Sequence, residues 1–318
     1  MNTTAVFISV IHMAGALSAC IFGTLPRSNP IQRAVTGSSS PMSLSQCQPY
    51  WTSIDGDIDA HLKHAIPIRS PLSVFEPMHR LTFSAPYTTA PALCIAACEL
   101  VDGHRDQAMA AAAALRLTHA AAFVHEQLPL TDRPRPKNRP TIDHLFGPNI
   151  ELLTGDGIAP FGFELLANSD DPTQNNSERI LRVIIEIARA TGAQGRIQGR
   201  YNELELEYVQ SEDEKWSHLA WINEVCKKKE GEMHACAGAC GAILGGGSEE
   251  EIEKLRSFGL HVGILQAIGS MVKRGEKAHM EVVSGLRRKA LEELKAFNQE
   301  KIGPISSLVE PELLLSVK

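Results

Sequence analysis

The chain has 318 residues, of which 43% are hydrophobic and 21% charged, with a formal net charge of −6. That composition is globular and gives no broad attraction for nucleic acid; the length allows one large or two ordinary domains. No uncharged apolar run in the body reaches the roughly 18–20 residues that a membrane-spanning helix needs.

The first stretch differs from the rest. No Asp or Glu precedes Asp55, and Arg27 and Arg33 are the only basic side chains in residues 1–50, which are rich in Ser, Thr and Ala. This reads as an organelle transit peptide, and the Ser/Thr content fits a plastid. A secretory signal would suit the apolar stretches 5–11 and 14–22, but no Lys or Arg precedes them. Residues 1–48 are therefore set aside as a leader and 49–318 as one folded domain. Of the seven cysteines, Cys20 and Cys47 fall in the leader; the remaining five are an odd number in a large core-forming chain, which excludes a secreted disulfide scaffold.

Residues 51–66 form an amphipathic pattern with Leu62 and Ile66 inward. Pro77 and Pro91 each sit where a proline opens a helix, predicting one helix from 77 to about 84 and another over ALCIAACELV. After the Asp102-Gly103 turn signal, residues 104–127 are an alanine-rich run of helix formers that Pro129 stops. His125, Glu126 and Gln127 therefore lie on the last turn. Four prolines interleaved with Arg133, Arg135, Lys137 and Arg139 make 128–147 a loop, read as a solvated basic one. Helical patterns return at 150–167, where Pro160 is expected to kink the chain, and at 178–190, where Ile180, Ile184 and Ile187 share a stripe. Gly192, Gly195 and Gly199 punctuate the segment after that helix. Residues 231–244 end at three glycines, and Ser248 with Glu251 forms a capping box ahead of Ile252, Leu255 and Phe258. A last amphipathic stretch covers 287–297. Strand-like alternation is almost absent, so the fold class is all-α.

Glu126, Gln127 and Asp132, set before and after Leu128-Pro129, resemble the first aspartate-rich region of trans-prenyltransferases of the geranylgeranyl diphosphate synthase family. The resemblance implies an isoprenoid-synthase-type bundle of about ten or more helices around a central cavity. Members of that family ionise an allylic diphosphate with magnesium held by two aspartate clusters. In this chain the aspartate pair of the first cluster is Glu126-Gln127. The second cluster should follow Gln266, yet Gly269 and Ser270 stand at its pair and Lys273 at its third acid, with Arg274 next. A cation beside a metal site repels the metal by about 1 kcal/mol or more at contact, even in water. Ala85-Pro86-Tyr87-Thr88 replaces the Gly-Gly-Lys-Arg of the isopentenyl diphosphate site, Lys229-Glu230 replaces a Lys-Thr pair, and Arg200 replaces a Gln. The resemblance thus implies a family member with no catalytic residues and no metal ligands of its own. Asp143 and Asp156 are the acids that would replace the lost ones under a different alignment.

Two Cys-x-x-x-Cys segments, Cys94 to Cys98 and Cys236 to Cys240, put paired thiols on one helix face amid small residues. Read as residues they are buried helix seams or, if the pairs converge, a zinc site. In order with HRDQAM, HEQLP and GAILGGG, they also resemble small subunits of plant heteromeric geranyl(geranyl) diphosphate synthases, over about residues 49–300. That group implies a partner-binding role for the four cysteines and a catalytic geranylgeranyl diphosphate synthase large subunit, in a heterodimer or heterotetramer, whose product shifts toward C10 geranyl diphosphate. Magnesium is expected in the large subunit and no cofactor in this chain. The alternative is an autonomous magnesium-dependent short-chain prenyltransferase with an altered metal site.

Overall fold

In the computed structural model the described residues are 44–129, 144–171, 173–206, 223–271 and 277–310. They lie in the unit Pro41–Lys318; the other unit of the chain, Met1–Ser40, falls outside them. Ten helices of eleven residues or more, and no strand, occur among the described residues: α1 (Leu44–Ala65), α2 (Leu72–Ser84), α3 (Ala90–Leu100), α4 (Arg105–Gln127), α5 (Pro148–Ala167), α6 (Ser177–Thr191), α7 (Arg196–Leu206), α8 (Glu232–Gly245), α9 (Glu249–Met271) and α10 (Lys277–Glu293). The expected all-α class is what the chain adopts.

The helix α4 is central because alanine makes it thin. Ala108, Ala110–Ala114, Leu117, Ala120 and Ala121 are all buried, so neighbours close on it from several sides. It packs on α3, α5 and α8, while α8 packs on α3, α6 and α9. At its start the side-chain oxygen of Gln107 accepts the His104 N–H at 2.7 Å, satisfying one free donor of the first turn. At its end Leu128 turns extended (φ −62°, ψ 138°), the conformation that a following proline demands. The capping box before α9 also forms: Glu251 Oε2 accepts the Ser248 N–H at 2.7 Å, and Ser248 Oγ accepts the Glu251 N–H at 3.3 Å.

Three expectations about boundaries change. The first helix begins at Leu44 rather than 51, and Cys47 is a buried core residue of it. Cys47 packs because its helix, docked by the Trp51 Nε1–H donated to Ser307 Oγ at 3.0 Å, brings it against the C-terminal segment. The second helix begins at Leu72, so Pro77 lies inside it. Pro77 removes one backbone hydrogen bond there, and its burial offsets that loss. A helix also forms at 277–286, ahead of the expected start at 287, and closes in a 3₁₀ turn, Leu294–Ala296.

A self-neutralised candidate site

Glu126, on the last turn of α4, is the residue from which the site builds. Its carboxylate lies 3.2 Å from Arg196 Nη2 and 3.6 Å from Lys229 Nζ. Arg196 opens α7, and its Nη1 lies 3.6 Å from Glu230 Oε1. Lys229 Nζ donates to Glu203 Oε2 at 2.7 Å, and Arg200 Nη1 donates to the same oxygen at 2.5 Å. Among the described residues, three carboxylates thus meet three fixed cations. The Lys229 and Glu230 side chains come from a π-helical turn, Lys227–Gly231, inserted before α8. That widened turn lets two adjacent residues reach the cluster, and such insertions recur at functional sites. Gly199 allows α7 to approach: a Cβ there would crowd Lys228 and the Lys229 backbone.

Side-chain exposure is 16% for Glu126 and 6% for Arg196, so the pair is largely out of water. Burial alone would raise the Glu126 carboxyl; the Arg196 and Lys229 charges outweigh it and hold the carboxyl below its ordinary value. Burial would likewise lower Arg196, and Glu126 and Glu230 more than compensate. Both groups stay ionised because each is paired with the opposite charge; either one alone at this depth would cost several kcal/mol.

Four positions singled out in the sequence (Glu126, Arg200, Lys229 and Glu230) are brought together here. Arg196 and Glu203 were not found by sequence reasoning: Arg196 meets a residue 70 positions earlier, and Glu203 beside Arg200 reads as an ordinary helix-surface ion pair. Gln127 is buried beside Glu126. Asp132, Asp143, Lys273, Arg274 and the basic side chains of 133–139 lie outside the described residues. Asp156 pairs instead with His125 at 3.2 Å.

At the second region, Gln266 is on α9 with its Oε1 2.8 Å from Thr89 Oγ1, and Thr89 Oγ1 lies 3.0 Å from His234 Nε2. Gly269 follows on α9 and offers no ligand atom, and Ser270 is the next residue of that helix. The α2–α3 connection carries Ala85, Pro86, Tyr87 and Thr88. Its carbonyls are held from α4: Arg116 Nη1 donates to Pro86 O at 3.2 Å, and His119 Nε2 lies 3.1 Å from the same oxygen. The Arg116 guanidinium also stands 4.7 Å from the centre of the Tyr87 ring. This arginine is spent on carbonyls and an aromatic face, not presented to a phosphate.

Magnesium needs short oxygen contacts from free carboxylates. Glu126 is already bound to a guanidinium and an ammonium, Gln127 is an amide, and Gly269 has no side chain. These residues do not fit a magnesium–diphosphate complex. Among the described residues no group of three or more His, Cys, Asp or Glu is arranged to hold a metal ion.

Cys94 and Cys98 on α3 face Cys236 and Cys240 on α8, and all four are buried in the seam where these helices pack. Cys236 Sγ and Cys240 Sγ are 3.6 Å apart, and Cys98 Sγ donates to His104 O at 3.4 Å. Gly241 sets the spacing, since a Cβ on it would collide with the Cys94 carbonyl. Burial pushes the Cys98 thiol up to about 12 and Cys94 and Cys240 well above the ordinary range, so all three remain protonated.

An all-α bundle with Glu126 on the last turn of one long helix and Gly269 near the end of another is of the isoprenoid-synthase type. The chain belongs to the polyprenyl synthetase family, which it matches over residues 76–268. It is 46% identical over 276 residues (86% of this chain, 95% of the relative) to "heterodimeric geranylgeranyl pyrophosphate synthase small subunit 2, chloroplastic" of Cannabis sativa. Among solved structures it resembles the geranyl diphosphate synthase small subunit of Antirrhinum majus, with 53% identity, a TM-score of 0.75, and coverage of 84% of this chain and 99% of that one. It also resembles a chain of a mint heterotetrameric geranyl pyrophosphate synthase deletion mutant in complex with ligands, with 52% identity, a TM-score of 0.72, and coverage of 83% and 100%.

Proposed function

We propose that this chain is the non-catalytic small subunit of a heteromeric plastidial geranyl diphosphate synthase. It binds a catalytic geranylgeranyl diphosphate synthase large subunit, in a heterodimer or heterotetramer, and shifts its product toward C10 geranyl diphosphate for monoterpene synthesis. The complex is a prenyl transferase; its magnesium is held by the large subunit. The relatives named above support the small-subunit role and the chloroplast, with the transit segment ahead of α1, since Cys47 belongs to the core. Among the described residues no helix is long and apolar enough to cross a membrane.

The observation that carries the absence of catalysis is the occupied carboxylate of Glu126. A diphosphate leaving group needs its charge neutralised by metal, and here the acids that would gather the metal are matched internally by Arg196, Lys229 and Arg200. An inactive partner acts through contact, and the free energy for redirecting the large subunit comes from contacts that differ between two of its conformations. Leu153 on α5 and Leu181 on α6, exposed at 65% and 59%, supply apolar surface of the kind a partner covers. A stable interface of this kind buries roughly 2,000 Å² or more.

The test is product analysis with and without a large subunit. Alone, with magnesium, dimethylallyl and isopentenyl diphosphates, the chain transfers nothing; mixed with a geranylgeranyl diphosphate synthase it yields geranyl diphosphate. Unchanged chain length in the mixture refutes the assignment. Turnover by the isolated chain establishes the autonomous, altered-metal enzyme instead.

A further inference from the structure

We propose that the Arg196 guanidinium is a built-in substitute for a divalent cation, a fixed counter-ion that ties the end of α4 to α7 and the π-helical turn and closes the carboxylates of Glu126 and Glu230 to metal. Three observations carry this. Arg196 bridges two carboxylates from different elements, Glu126 at 3.2 Å and Glu230 at 3.6 Å, as a shared ion would. Its side chain is only 6% exposed, so its charge cannot be replaced by solvent. Its Nε and Nη1 are buried without hydrogen-bond partners, so the guanidinium is held by charge more than by complementary geometry. That is the arrangement expected of a group serving as counter-charge in a site not shaped around a fork of donors.

The consequence goes beyond the absence of catalysis. Lys229 and Arg200 balance only two of the three carboxylates. Without Arg196 the described residues of the cluster carry one net negative charge, together with space left by the guanidinium. Glu126 and Glu230, the two carboxylates Arg196 bridges, then become oxygen ligands for a hard divalent ion. The wild-type chain is therefore insensitive to divalent ions at this site, and one substitution makes it sensitive.

Manganese serves as the probe because it is paramagnetic and accepts the same oxygen ligands. Isothermal titration of the full chain with MnCl₂ is expected to show binding in Arg196→Gln at least about tenfold tighter than in wild type, where tenfold is about 1.4 kcal/mol. Arg196→Lys keeps the charge and behaves as wild type. Glu126→Gln combined with Arg196→Gln removes the ligand with the plug and loses the binding again. Equal affinity of wild type and Arg196→Gln overturns the proposal, and so does undiminished binding in the double variant. A second measurement needs no variant and covers the case in which Arg196→Gln fails to fold. His119 lies close enough to feel the charges of Arg196 and Glu230, so its imidazole resonance in the wild-type chain is expected to stay sharp as MnCl₂ is added. Selective broadening of that resonance means that manganese enters despite the guanidinium, and refutes the plug. None of these readouts involves a large subunit or a product, so their failure is separable from failure of the small-subunit role.

Discussion

Glu126 and Arg196, 70 positions apart in sequence, meet at 3.2 Å where α4 ends and α7 begins. Each is the other's main means of staying charged below the surface. The pair draws Lys229, Glu230, Arg200 and Glu203 into one cluster whose charges match among the described residues.

Breaking that pair from one side costs more than removing it whole. Arg196→Met leaves Glu126 buried with Lys229 and, more weakly, Arg200, and is expected to destabilise the chain by about 3–5 kcal/mol. Adding Glu126→Gln recovers part of the loss, because the uncompensated carboxylate goes with it. Urea unfolding of the two single variants and the double variant measures this. Additive losses show that the two residues are not coupled.

Stability is expected to fall in mild acid, chiefly through His119, over a defined window. Burial, with help from the Arg196 charge, pushes its imidazole down to about 3, from an ordinary 6.5. A base whose folded-state pKa is lowered binds its proton on unfolding. Stability is complete above about pH 6.5 and is lost as pH falls toward 3, by up to about 1.4 kcal/mol per pH unit. His234, buried on α8 and also held low, adds to the same slope. Glu126 acts lower down: its depressed carboxyl contributes stability that is lost as pH falls below about 4.5. Unfolding curves at pH 7.5 and 5 are expected to converge in His119→Gln relative to wild type; an unchanged gap excludes His119.

The cysteine seam makes partner assembly a readout of internal packing. Cys94, Cys98, Cys236 and Cys240 are buried within this chain, so under the proposed small-subunit role any influence they have on a large subunit passes through α3 and α8. Cys94→Ser with Cys98→Ser places two hydroxyls in an apolar seam, at about 1–3 kcal/mol each if unpartnered, whereas the Cys→Ala pair is milder. Gly241→Ala forces the helices apart and exceeds both. Co-purification with the large subunit should fall in the same order as the melting temperature. Lost co-purification in a variant of undiminished melting temperature shows direct thiol contact instead.

Much of the bundle was legible because its signals are local. Pro129 after an alanine run fixes where α4 ends, and Ser248 with Glu251 announces the start of α9. The start of α2 was not legible: a proline at 77 is more often an opening residue than an interior one, and what holds it inside α2 is burial against other helices. At the site, the sequence pointed to Glu126, Arg200 and Lys229 through the resemblance, but not to the residue that holds them together. Arg196 sits between Gly195 and Gly199 in a stretch that reads as irregular, and its partner lies on another helix. Pairing across such a distance leaves no periodic trace.

The close approach of Gly241 to the Cys94 carbonyl leaves only the Ala97 methyl, which has no rotamers, beside it between α3 and α8 at that level. Two rods meeting backbone to backbone have no cushion of rotamers to absorb a displacement, so they must tilt or shift together. Whatever presses on the outer end of one of them is felt at the far end of the other, and a neighbour touching either helix handles both as a single lever.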